Sequence, residues 1–122
     1  MTTTGTSKYR GSKEFFLVYA ELITAARKRI LVGYQTVAQL MGLPLRGQHM
    51  GREVGRLLGE ISEDEDRLGR PMLSALAVSM AGIPGDGFFK LGRSLGKLSG
   101  STIKAERDFW EKERNAVYEA WK

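Results

Sequence analysis

The chain has no cysteine, a single histidine and three prolines in 122 residues, and no apolar run long enough to span a bilayer. The missing cysteine excludes disulfide scaffolds, thiolate zinc sites and cysteine nucleophiles. One histidine, His49, excludes a multi-histidine metal site. The opening MTTTGTSKYRGSK has no apolar segment of the kind a secretory leader carries, so the expected address is cytoplasmic, with no membrane partner. Acidic residues are also scarce at first. Residues 1–56 hold nine Lys/Arg against three acids, whereas residues 57–69 hold five acids against one Arg. Over 70–100 the balance is four to one in favour of bases, and 101–122 is even. With 42% hydrophobic and 27% charged residues, a single folded domain is expected over 12–122, without metal or disulfide staples. Residues 1–11 are Thr/Gly/Ser-rich and read as a flexible arm carrying Lys8 and Arg10, with Lys13 just beyond it. The net charge of +5 suits a polyanionic partner.

Ser12 predicts the N-cap of a first long helix whose apolar face holds Phe15, Phe16, Val18, Tyr19, Leu22, Ile23, Ala26 and Ile30, with Arg27, Lys28 and Arg29 at its negative end. The run GYQTVAQLMGLPLRGQHMGREVGRLLG (33–59) then reads as two helices about a Gly/Pro turn. Val37, Leu40 and Met41 space the first, and Gly42 with Pro44 closes it; Thr36 with Gln39 competes with Gly33 for its cap. The second, over 47–61, buries Met50, Val54, Leu57, Leu58 and Ile61 and presents Gln48, His49, Arg52 and Arg56. This layout predicts a helix-turn-helix. Arginine reads guanine and clamps phosphate, and Gln and His reach base edges. The alternative is that Arg52 and Arg56 pair with Glu53 or Glu60 on a solvated face. Gly47, Gly51, Gly55 and Gly59 recur every fourth residue, which predicts close approach of another backbone, the domain's own or a nucleic acid's.

In ISEDEDRLG, Ser62 and Glu65 predict a capping box and a separate short helix over 62–68, stopped by Gly69; the EF-hand spacing for metal is not there. Pro71–Met80 reads as a strand. The following AGIPGDGFF is a tight turn leading either into a second strand, giving a hairpin or wing, or into a helix at FFKLGRSLGKL. Gly85 and Gly87 as a phosphate cradle is the weaker reading of that turn. Residues 101–121 predict an amphipathic helix with Ile103, Trp110, Val117 and Trp121 on one side, which serves either the core or a homodimer. The expected fold is therefore α+β and mainly helical: a winged helix-turn-helix with a small β-hairpin and an extra C-terminal helix.

Tyr34, Val37, Ala38, Gly42 and Pro44, followed by Arg52-Glu53-Val54-Gly55 and a proline-led apolar stretch from Pro71 to Val78, resemble the winged-helix DNA-binding segment of alkylguanine-DNA alkyltransferases and alkyltransferase-like proteins. The resemblance covers a third to a half of the chain. It implies that Arg52 enters the minor groove and helps extrude a base, and that structured or damaged DNA is bound. The family's P-C-H-R or P-W-H-R run is replaced by Pro71-Met72-Leu73-Ser74, so alkyl transfer is excluded. The stretch from Gly55 to Pro71 is also longer than the family's. The chain is similar, too, to small prokaryotic or phage proteins carrying RPMLSA…G-x-PG-x-GFF, a likeness that implies no activity.

No catalytic constellation stands out. His49 has no serine and acid placed to make a triad, and Asp86, Lys90 and Glu60 as a metal-dependent nuclease site are explained more simply by turn and helix roles. The sequence thus points to a non-catalytic double-stranded DNA-binding protein without cofactor. It would use helix 47–61 (Gln48, His49, Arg52, Arg56) with flanking contacts from Arg10, Lys13, Arg46, Lys90 and Arg93. A protein-interaction module on the same scaffold is the alternative.

Overall fold

The computed structural model describes residues 7–122. Five α-helices, α1 (Lys13–Lys28), α2 (Tyr34–Met41), α3 (Gln48–Arg67), α4 (Asp86–Ser94) and α5 (Ile103–Ala120), surround one short 3-10 turn at Leu73–Leu76. Two two-residue strands, β1 (Val32–Gly33) and β2 (Ala77–Val78), complete the fold. It is mainly helical, as expected. None of the helices among the described residues is long and apolar enough to cross a membrane.

Local chemistry accounts for most element ends. The Ser12 side chain accepts the Phe15 N–H and starts α1. Phe15, Val18, Leu22, Ala25 and Ala26 of that helix are buried, whereas Phe16 and Ile30 stay exposed. The α2 cap is Gly33, without a side-chain bond, so the Thr36–Gln39 box is not used. Gly42 ends α2 with φ 75°, a conformation glycine reaches without a Cβ clash. Thr102 caps α5 by accepting the Ala105 N–H at 3.0 Å. The apolar side of α5 packs inside the domain through Phe109, Trp110 and Val117, but Ile103 remains exposed.

Three expectations fail. First, α3 does not break at Ser62; it runs on to Arg67, taking in both the 47–61 and the 62–68 segments. Ser62 is fully buried and bonds the Ser74 hydroxyl at 2.7 Å and the Ser74 N–H at 3.1 Å, so it caps nothing. Gly69, with φ 77°, does follow the helix end.

Second, Pro71–Met80 is not a regular strand. Residues 72–78 are all buried; only Ala77 and Val78 join a ladder, and side chains bond the backbone of Met72, Ser74 and Ala75. The Met72 N–H donates to Glu113 Oε2 (2.8 Å), the Ser74 N–H to Ser62 Oγ, and the Ala75 carbonyl accepts Trp110 Nε1–H (2.8 Å).

Third, no hairpin wing forms among the described residues. β2 pairs in parallel with β1, Val32 opposite Ala77 and Gly33 opposite Val78. The GIPGDG stretch is the tight turn expected, closed by Ser79 N–H to the Ile83 carbonyl (2.9 Å), and it leads into helix α4.

Candidate nucleic-acid interface

The side chains expected to meet nucleic acid fall into two groups. Arg46, Gln48, His49, Arg52 and Arg56 are all exposed, on the turn before α3 and along its first three turns. Gly47 caps α3 with no side-chain acceptor, and no acid lies in its first turn. The amino end of the helix therefore keeps its N–H groups and its positive dipole end. Arg52 makes no ion pair among the described residues, and the charge of Arg56 reaches the phenol of Tyr9. Lys13, at the start of α1, and Lys90, on α4, are exposed as well.

Arg10 and Arg93 belong to the second group, already bound within the molecule. Arg10 Nε bonds Asp64 at 2.9 Å and its Nη2 lies 3.3 Å from Glu63. Arg93 Nη2 lies 2.6 Å from Glu106, while its Nε–H donates to the Gly100 carbonyl at 3.1 Å.

Acids of α3 hold Arg10, and Glu106 of α5 holds Arg93. Glu53 and Glu60 lie seven residues apart, two helical turns, and both turn inward. Glu60 accepts three consecutive backbone N–H groups, from Lys8 (2.7 Å), Tyr9 (2.9 Å) and Arg10 (2.8 Å). Glu53 takes Lys8 Nζ at 2.7 Å and the Tyr9 hydroxyl. These two donors hold the Glu53 carboxyl down at about 2, with the Lys8 bond the larger cause. Burial, then the bond to Glu53, pushes the Tyr9 phenol up to about 12. Residues 8–10 of the arm expected at 1–11 are thus bonded to α3; residues 1–6 lie outside the described residues. Glu53 and Glu60 both bond residues 8–10.

Further along α3, Glu65 is 1% exposed and held by Arg70 through two bonds (2.8 and 3.0 Å) and by the Tyr19 hydroxyl (3.0 Å). The guanidinium of Arg70 stacks on Trp121, its centre 5.2 Å from the ring. The acidic cluster consequently acts as a set of internal clasps. Among the described residues it forms no group able to hold a metal ion.

Among the described residues no backbone closes on the glycine row. A Cβ placed at Gly51, Gly55 or Gly59 would meet nothing within 4 Å. The row instead floors a cleft of about 430 Å³ between α3 and the amino end of α4, which Arg52, Tyr34, Phe88 and Leu91 also line. Gly85 is the tight position here: its N–H donates to the Tyr34 hydroxyl at 2.7 Å. The bond ties the turn to α2, so that N–H is not open for the phosphate cradle once considered.

Sequence reasoning missed the clasps and the cleft. The 53/60 spacing, both acids flanked by core positions, was the available signal for the clasps. Nothing in the sequence signalled the cleft, because α4 had no fixed partner. Comparison with protein-family models, with curated proteins and with solved structures finds no match.

Proposed function

We propose that this protein binds double-stranded DNA without catalysis, laying the first three turns of α3 against the duplex with α2 and the Gly42–Gly47 turn behind it as a helix-turn-helix. One observation carries the reading. The outward side of that stretch presents Arg46, Gln48, His49, Arg52 and Arg56, while Glu53 and Glu60 are turned inward onto residues 8–10. The uncapped amino end of α3 adds a backbone site for a phosphate. In this arrangement Lys13 and Lys90 are the flanking contacts, in place of a hairpin wing. Arg10 and Arg93 are internal braces.

The test is a mobility shift with duplex, single-stranded and branched DNA at two salt concentrations. Affinity for duplex falls with salt at a log–log slope of about −0.9 per phosphate contacted. Arg52→Ala with Arg56→Ala weakens binding by roughly 1–3 kcal/mol per lost specific contact and leaves the melting temperature almost unchanged. Arg93→Ala does the reverse. Absence of duplex retention at low salt defeats the proposal.

One observation favours the interaction-module reading instead. An apolar groove beside Arg46 is lined by Leu45, Met50, Val78 and Met80, and Met80 is 92% exposed. That reading requires Met80→Glu to abolish capture of a protein partner while duplex binding is absent from the start.

A further inference from the structure

We infer that the cleft between α3 and the amino end of α4 binds a small aromatic acid carrying one negative charge. Four elements build it: Tyr34 stands at the start of α2, Arg52 and Leu58 come from α3, Ser74 from the 3-10 turn, and Phe88 and Leu91 from α4. At about 430 Å³ it has the size of a small-molecule site, and its walls follow the usual pattern of apolar surface with a few convergent polar groups. A flat ring system can lie on the bare backbone at Gly51 and Gly55, between the Tyr34 and Phe88 rings.

The polar groups set the charge of the ligand. Arg52 is an exposed cation without an ion pair among the described residues. Gly85 caps α4 with no side-chain acceptor, and Asp86 in the first turn offsets the positive end of that helix, which leaves Arg52 as the cation of the cleft. Burial raises the Tyr34 phenol above its ordinary value, against the pull of the Gly85 N–H, so the hydroxyl keeps its proton as a donor. Asp86 lines the same cleft with one negative charge. A monoanion is therefore favoured over a dianion, and an anion over a cation. None of this depends on DNA binding.

The experiment is an amide-shift titration of the full chain, without DNA, using naphthoate, its neutral amide and the corresponding amine. Naphthoate produces saturable shifts over residues 51–59 and 85–91, and the amide binds about tenfold more weakly, as loss of one charge-assisted contact dictates. Arg52→Gln brings the acid down to the affinity of the amide and leaves the amide unaffected. Gly55→Phe fills the floor and removes binding of both, with folding checked by circular dichroism; Gly51→Leu serves if that variant does not fold. Equal affinity for the three probes, shifts elsewhere, no saturation, or unchanged binding in a folded, filled variant each overturns the inference.

Discussion

At the scale of single residues, stability is concentrated in carboxylates that are buried but fully bonded. Glu113 is the clearest case: it takes the Met72 N–H and Lys97 Nζ (2.7 Å) in the interior. Truncating it strands the buried Met72 N–H, while Lys97 is a quarter exposed and keeps Asp66 at 4.0 Å, so Glu113→Ala is expected to cost about 1–3 kcal/mol in chemical denaturation. Replacing Glu113 by Gln keeps the acceptor for Met72 and recovers part of that loss. Glu53 gives a pH signature. Its folded value of about 2 lies below its ordinary 4.5, so its contribution is complete above 4.5 and is withdrawn as pH falls towards 2. Protection of the amides of residues 8–10, taken relative to intrinsic exchange at each pH, should therefore fall across that window before protection of the core does. Tyr9 has the opposite sign, raised from 10 to about 12. The bond it makes holds below pH 10 and is lost as pH rises through 12, which phenolate absorbance would follow.

At the scale of elements, α3 departs most from what its sequence suggested. A capping box at Ser62–Glu65 and an acidic run look like a fresh helix start, but Ile61 and Ser62 are fully buried and the chain has no room to turn there. Local signals lost to packing. The same holds for 71–80, where a continuous apolar run looked like a strand; residues 72–78 are buried, but the hydrogen bonds of 72–75 go to Ser62, Glu113 and Trp110, all distant in sequence. Conversely, Ser12, Gly42, Gly69 and the 79–85 turn were legible because their roles are set by neighbours a few residues away. The exposed side chains from Arg46 to Arg56 were legible too, since helical periodicity separates them from Val54, Leu57 and Leu58. The glycines of α3 give a prediction proper to the element. Gly55→Ala adds a methyl where nothing lies within 4 Å, so it should raise stability by about 0.8–1 kcal/mol in thermal or denaturant unfolding, through helix propensity alone.

At the scale of the whole molecule, residues 70–78 tie α3 to α5, and residues 8–10 tie the chain's start to the middle of α3. With both halves sharing one buried segment, unfolding is expected as a single transition, with far- and near-ultraviolet circular dichroism melting together. Separate midpoints would show that α4 and α5 unfold on their own. Gly92, buried on α4, has a different consequence. A Cβ there would stand 2.8 Å from the Phe109 ring, so that helix rests against α5 with no clearance. One added methyl must displace either the aromatic ring or α4, and with α4 goes the mouth in front of it. The aperture is gauged from behind, by a residue that a visitor to the cleft would never touch.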